Sequence, residues 1–440
     1  MVAKPHTFQE SVDYLLSLGN EVSAMKLGLE NIRRLLAALG DPQNNYLKAQ
    51  VAGTNGKGSV CAFLNSICLQ VGIETGMYTS PHLVSIKERI QINGFNISDM
   101  EFALYSSRVR AVAESLIASG ELEYLPTFFE QMTAIALLAF SEAGVDLAIL
   151  ETGLGGRLDA TTAANAEIAA ITRIDYDHQQ YLGETIEEIA AEKAAIIHAG
   201  SKVVIGKQRP EAMAVILHRC AELGIKPKTA DKVSIAWQRP SVDIGGTKFH
   251  LDETKPGLLG DHQVENATVA VQVAEYLDES FNISSENVFL GLERARHPGR
   301  LEWLEYEGNA VLLDGAHNPG GARALSDYLG LTYPDSKITL VFGMMNDKDM
   351  AEIAELLFPR MENIIFTRPD NARAVDPQQL AASARGIVDP SRVFVVGNVA
   401  DAFDSALRIT SGGYPATRYS FTCVTGSLYL VGEIKSLLSE

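Results

Sequence analysis

The ten residues VAGTNGKGSV, Val51 to Val60, join an apolar run, LKAQVA, to a stretch in which Val60, Phe63, Leu64, Ile67 and Val71 share helical spacing. A strand that turns through three glycines straight into a helix leaves few folds open. Backbone amides freed by glycine geometry at a helix N-terminus make a ready anion site. Lys57 would add a point charge for phosphate, and the Ser59 hydroxyl could reach Mg²⁺ or a phosphate oxygen. The stretch departs from the common Gly-x-x-x-x-Gly-Lys-[Ser/Thr] pattern. Val51 stands where the first glycine would be, and Gly58 separates Lys57 from Ser59. A plain glycine turn is the alternative, and the lysine and serine argue against it.

Further strand-like runs follow: DLAILE ending at Glu151, EIAAITRI ending before Asp175, and KVVIG at 202–206. Their alternation with helical patterns predicts a mostly parallel sheet covered by helices. Upstream, Thr7 with Glu10 fits a capping box, and LENIRRLLAALGDP reads as a helix ended by Gly40 and Pro42. LERARHPGRLE breaks the rhythm, and a second alternation begins: AVLLDGA, ITLVFG, NIIFT, RVFVV and SFTCVTG. The expected organisation is α/β throughout. A phosphate-loop domain spans residues 1–296, and a smaller Rossmann-like α/β domain spans 297–440.

A 440-residue chain that is 46% hydrophobic and 21% charged has ample material for two such cores. Its net charge of -18 argues against broad contact with nucleic acid or an anionic membrane, though not against a local pocket for a small anion. The four cysteines, Cys61, Cys68, Cys220 and Cys423, form no metal-type pair and read as core residues. The N-terminal stretch lacks the apolar run of a signal peptide, and no uncharged stretch is long enough to span a bilayer. The expectation is a soluble, cytoplasmic protein.

Several positions could carry chemistry. ETGLGGRLDAT delivers Glu151 at a strand end, where ligands bind in open α/β sheets. A carboxylate beside a phosphate loop usually serves Mg²⁺, and a strand-end cap is the alternative. Arg157 and Asp159 are candidates for substrate contacts. TSPHL alone reads as a surface turn. His178 lies beyond the next strand, where a ligand and an ordinary hydrogen-bonding histidine are equally fair readings. In ETIEEIAAEKAAII, Lys193 shares the stripe of Ile186, Ile189, Ile196 and Ile197. Spacing alone favours a lysine snorkelling from the stripe's edge over a buried amine. In the second half, Arg300 stands at the domain junction. Asp314, His317 and Asn318 follow a strand, which suggests either a cleft between the domains or plain turn chemistry.

Taken together these stretches resemble the Mur ligase superfamily, and more narrowly the folylpolyglutamate synthase/dihydrofolate synthase family. The likeness runs through LGLENIRRLLAALGDPQ, VAGTNGKGSV, TSPHL, ERIQING, TFFE, ETGLGGRLDAT, DYDHQQYLG, AEKAAII, GDHQVENATVA, HPGRLE, DGAHNP, FGMMNDKD and VTGSLYLVGE. The loop form Gly-Thr-Asn-Gly-Lys-Gly-Ser is characteristic of that family. The resemblance implies an ATP-dependent ligase that phosphorylates a carboxylate and joins it to L-glutamate. It implies that Gly53, Thr54, Asn55, Gly56, Lys57, Gly58 and Ser59, with Asn266, Arg300 and Asp314, hold ATP. It implies Mg²⁺, as two ions, ligated by Ser80, Glu151 and His178. Lys193 would be carbamylated beside the second ion, and His317 would lie close to the reaction. Thr127, Phe128, Phe129 and Glu130, with Leu158, Asp159 and Ala160, would contact the pterin or folate substrate. Gln179 and Gln180 depart from what many relatives carry after the histidine. The implied partners are small molecules only, with the protein acting as a monomer.

Other readings keep part of this. A peptidoglycan-type ligase would carry a further N-terminal substrate domain, for which the residues before the phosphate loop leave little room. A nucleotide-gated switch without ligation would leave the lysine on the stripe and the Asp314/His317 pair unexplained.

Overall fold

The computed structural model describes residues 6–19, 28–230, 247–249, 251, 254–411 and 420–438. The chain forms two compact units. The first comprises Met1–Gly257 and Val264–Arg296, the second Leu258–Gln263 and His297–Glu440.

The first unit holds eight strands: β1 (Leu47–Ala52), β2 (Thr75–Tyr78), β3 (Ile90–Ile92), β4 (Phe95–Asn96), β5 (Leu147–Glu151), β6 (Ile168–Ile171), β7 (Lys202–Gly206) and β8 (Lys228–Ala230). They lie in the order β4-β3-β2-β5-β1-β6-β7-β8. Every pairing from β2 to β8 is parallel, and only the β2–β3–β4 edge is antiparallel. β1 and β5, in the middle, are buried almost throughout. That suits parallel strands covered on both faces.

Register shows which helices cover which face. Gln50 pairs with Leu150 and Ala169, and Ile171 with Ile205, so Ala148, Leu150, Ala52, Ala169, Ile171, Val203 and Ile205 point the same way. On this face Leu150 joins the cluster of Ile135 and Phe140 from the helix Phe128–Ala143. Ile171 and Ile205 join the cluster of Ile189 and Ile216. The helices Lys57–Val71 and Asp261–Phe281 take the opposite face, where Val269 lies over Gly206.

In the second unit β9 (Glu302–Tyr306), β10 (Asn309–Leu313), β11 (Lys337–Phe342), β12 (Asn363–Phe366), β13 (Val393–Val395) and β14 (Ser420–Thr425) run in the order β13-β12-β11-β14-β10-β9. β9 is an antiparallel edge, and the other five strands are parallel. Phe342, Phe358 and Phe366 stack edge-on in its core.

The capping box at Thr7 is present and opens the helix Phe8–Ser17, and all four cysteines are buried and free. Sequence periodicity had not marked β2, the β3–β4 hairpin, β8 or β9. Among the described residues no helix is long and apolar enough to cross a membrane.

Gly291, on the helix Ser285–Arg294, lets that helix lie directly on Lys57–Val71: a Cβ there would fall 2.5 Å from the Ile67 Cα. Backbone cannot yield as a side-chain tip can. Gly291→Ala is therefore expected to lower unfolding stability by about 1–3 kcal/mol, the usual range for overpacking. Denaturant unfolding of the two proteins side by side checks it.

Candidate active site

Four adjacent parallel strands of the first unit, β2-β5-β1-β6, bring their C-terminal ends into a row. Ser80 follows β2, Glu151 ends β5, the glycine loop leaves β1, and the segment to His178 leaves β6. Four candidate features scattered over a hundred residues thus share one edge of the sheet, where such sheets bind ligands.

The glycine loop is fastened to the segment after β6. The N–H groups of Thr54 and Asn55 donate to the Arg173 carbonyl at 2.9 and 3.2 Å. The Thr54 hydroxyl donates to the Asp175 carbonyl and accepts from the Asp175 N–H, both at 3.0 Å. The Thr172 hydroxyl donates to the Asn55 carbonyl at 2.8 Å. The approach is so close that a Cβ on Gly53 would fall 1.8 Å from Thr172 Oγ1, and one on Gly56 2.2 Å from Asn266 Oδ1. Both glycines also have positive φ, at 155° and 91°. The amide donors of Thr54 and Asn55 therefore hold the loop. The donors suited to a phosphate are those of the first helical turn that opens at Lys57. Asn266, buried on Asp261–Phe281, backs Gly56.

Lys57 Nζ donates to the carbonyls of Gly53 and Thr54 at 3.2 and 3.3 Å. Lys193 Nζ donates to the same Gly53 carbonyl at 2.9 Å. Lys193 is only 4% exposed, so the snorkelling expectation fails: the Thr185/Glu188 capping box starts its helix so that Lys193 faces inward with Ile186 and Ile189. The helix ends at Ala194, however, and Ile196 and Ile197 are buried in the turn beyond it rather than on its stripe. Burial, then the Lys57 charge, lowers the Lys193 pKa to about 7, opposed by Asp177, Asp159 and Glu192.

Glu151 is buried, and its Oε2 accepts the Ser80 N–H at 3.0 Å. His178 adopts a left-handed conformation beside Asp177, with Nε2 3.8 Å from Asp177 Oδ1. A hydroxyl, a carboxylate and an imidazole suit a hard divalent ion such as Mg²⁺ or Mn²⁺. Among the described residues no three His, Cys, Asp or Glu side chains converge as a metal cluster. An ion here would complete its shell with water or phosphate oxygens, as Mg²⁺ commonly does.

The segments expected to meet the acceptor are put to structural use as well. Thr127 and Glu130, which the resemblance assigns to the substrate, form the capping box of Phe128–Ala143. Phe128 is buried. Phe129 is half-buried, packs on Tyr78 with ring centroids 6.0 Å apart, and lies where a Cβ on Gly153 would fall 2.5 Å from its Cζ. Asp159 is internal: Oδ1 accepts from the N–H and hydroxyl of Thr161, and Oδ2 accepts from the Leu154 N–H. Burial raises its pKa against those hydrogen bonds. Ala160 is buried and Leu158 half-buried, so the turn offers a ligand its backbone and Leu158 rather than the carboxylate. Arg157 is exposed and pairs with Glu192 at 2.8 Å.

In the second unit Asp314, at the end of β10, accepts from the Leu301 N–H at 2.9 Å and the Ala316 N–H at 3.0 Å. Burial raises its pKa, and Arg300 opposes the shift. His317 Nδ1 lies 2.8 Å from the Gly315 carbonyl, so that nitrogen donates and Nε2 faces away. Asn318 is the N-cap of Pro319–Thr332, its Oδ1 accepting the Gly321 N–H at 2.8 Å. Sequence reading missed two half-buried histidines of this unit, His262 and His297. Burial and the Arg300 charge push them down to about 4 and about 3.

A phosphate loop at one end of a parallel sheet, joined to a second α/β unit, is the arrangement of the Mur ligases. Residues 51–274 match the Mur ligase middle domain, and residues 299–418 match the Mur ligase glutamate ligase domain. The chain belongs to this superfamily and, within it, to the folylpolyglutamate synthase/dihydrofolate synthase family. It is 34% identical to the dihydrofolate synthase/folylpolyglutamate synthase of Bacillus subtilis, over 94% of this chain and 95% of that protein. Mycobacterium tuberculosis folylpolyglutamate synthase complexed with ADP superposes with a TM-score of 0.89 at 30% identity, covering 98% of each chain. The bifunctional folylpolyglutamate synthase/dihydrofolate synthase of Yersinia pestis, complexed with AMPPNP and Mn ion, gives 0.84 at 29% identity, covering 99% of this chain and 98% of that one.

The Lys193 shift carries a pH dependence of stability. Below pH 7 the lysine is protonated both folded and unfolded, and its burial penalty is complete. Between about 7 and the ordinary value of 10.5, the unfolded chain binds a proton that the native chain has released, so stability rises with pH. In bicarbonate-free buffer, the stability advantage of Lys193→Met over the parent is expected to be largest near pH 6 and to shrink towards pH 9. Urea midpoints across that range test it.

Proposed function

We propose that this ligase joins L-glutamate to the carboxylate of dihydropteroate, of reduced folate polyglutamates, or of both, through an acyl phosphate. The observation that carries this is the row of strand ends. The glycine loop, the Glu151 carboxylate and the buried Lys193 amine meet at one edge, with Lys57 and Lys193 on a single carbonyl. A plain nucleotide-binding switch has no use for the second lysine.

In the proposed reaction an oxygen of the acceptor carboxylate attacks the γ-phosphorus of ATP, and ADP leaves. The amine of L-glutamate then attacks the acyl carbon, loses a proton, and expels phosphate. Phosphorylation matters because oxide is a poor leaving group and phosphate a good one. The helix opening at Lys57, with the Lys57 ammonium, would hold the β- and γ-phosphates while charge concentrates there. Asn266, Arg300 and Asp314 are the proposed further nucleotide contacts, with His317 nearby. Mg²⁺ held by Ser80, Glu151 and His178 would offset the charge of two approaching anions. Manganese with AMPPNP in the Yersinia pestis relative supports a divalent ion. A second ion and carbamylation of Lys193 complete the proposal, and the depressed basicity of Lys193 agrees, because only a neutral amine adds CO₂. Phe129 and the backbone at Leu158–Ala160 are the proposed acceptor contacts. Free cysteines and an acidic charge fit a cytoplasmic enzyme.

Purified protein given ATP, Mg²⁺ and L-glutamate is expected to release ADP only when dihydropteroate or tetrahydrofolate is added. ADP release that ignores both acceptors, or none with either, would count against the proposal. Lys193→Ala should lose most of that activity, with partial recovery on adding a small carboxylate. Full activity in the alanine variant would remove the carbamate.

A further inference from the structure

The loop from Thr79 to Arg89 holds an arrangement that the proposed chemistry above leaves unused. Arg89 is 3% exposed, and its Nε donates to His82 Nδ1 at 2.8 Å. A guanidinium can only donate, so His82 Nδ1 must accept, and the ring proton resides on Nε2. The Arg89 guanidinium also lies 5.4 Å over the Phe128 ring, at the start of the helix that carries Phe129. One buried cation thus touches both the segment following Ser80 and the aromatic segment.

The loop is pinned rather than loose. Glu88 accepts the N–H groups of Leu83, Val84 and Ser85 at 2.8, 3.1 and 2.8 Å. The Thr79 N–H donates to the Arg89 carbonyl at 3.0 Å. His82 nevertheless keeps partial exposure, although its Nδ1 edge faces the buried arginine. The opposite edge of the ring carries the Nε2 proton. Two residues earlier the Ser80 N–H is bound to Glu151, so this donor stands on the same strand-end row.

We propose that His82 is an acceptor-binding residue whose Nε2–H donates to a carboxylate oxygen of the pterin or folate substrate, and that Arg89 is the positioning residue that fixes its tautomer and orientation. This rests on the function proposed above. A neutral donor suits the task. It binds the oxygen that does not attack without removing the negative charge that the attacking oxygen needs.

His82→Asn and His82→Gln separate the two edges of the ring. Asparagine can keep an acceptor for Arg89 while losing the distal donor, and glutamine can place an amide N–H near the Nε2 position. With ATP and L-glutamate saturating, His82→Asn is expected to raise the acceptor KM about tenfold or more, the scale of a hydrogen bond to a charged group. Its KM for ATP should stay within about twofold, and His82→Gln should recover most of the loss. An unchanged acceptor KM in His82→Asn, or equal impairment of both variants, overturns the proposal. In the wild-type protein, ¹⁵N shifts of His82 should show a protonated Nε2 and a bare Nδ1, and the opposite pattern also overturns it. Wild-type protein without acceptor-dependent ADP release would remove the proposed function itself. An active wild type with an indifferent His82→Asn would remove this inference alone.

Discussion

The Gly53 carbonyl receives two ammonium groups, Lys57 from the helix that follows it and Lys193 from a helix far along the chain. Most of the site depends on this arrangement. For the carbonyl to face both lysines, Gly53 must take a backbone conformation that side-chain-bearing residues avoid, against Thr172. Thr172 can stand there because β6 lies directly beside β1. Two like charges on one oxygen repel, and in a buried setting that repulsion falls on the group with less solvent. Lys193 is that group, and its burial first and the Lys57 charge second lower its basicity. A carbonyl dipole thus holds a cation in place and a second amine in reserve.

What the sequence made legible is what rests on local chemistry. The strand-loop-helix at Val51, the strand ending in Glu151 and the second run of strands from AVLLDGA onward all carry their own periodicity, and each stands as read. The edge strands escaped notice for physical reasons. β3 and β4 are three and two residues long, too short for alternation to show. β9, EWLEY, is half-exposed along its length and lies beside the Arg-His-Pro-Gly break that drew attention first. Leu258–Gln263 belongs to the second unit although its last three residues open a helix that continues in the first, and no local pattern encodes that.

Within the site, residue types were easier to find than their tasks. Thr127 and Glu130 show the difficulty. The resemblance alone recommends them as substrate contacts, while their spacing is that of a capping box, and the structure uses it so. Lys193 shows the reverse. Spacing alone could not say whether its side chain leaves or enters the core, because a stripe edge permits both. The partner that settles it, the Gly53 carbonyl, lies 140 residues away in sequence. His82 and Arg89 drew no role of their own, although TSPHL and ERIQING both carry the family likeness, since TSPHL alone reads as a surface turn.

The two units treat one aspartate alike. Asp159 and Asp314 are both buried, both have a raised pKa, and both accept backbone N–H groups on each oxygen. Each carboxylate oxygen has two lone pairs, so one per oxygen remains after such a bond. In Asp159 the Thr161 hydroxyl takes a further share, which leaves little for a ligand. Asp314 has only its two amide donors among the bonds described, and Arg300 stands close enough to favour its charged form. The same residue type therefore braces the backbone in both units, and in the first the Thr161 hydroxyl and the Gly153 amide add to the hold.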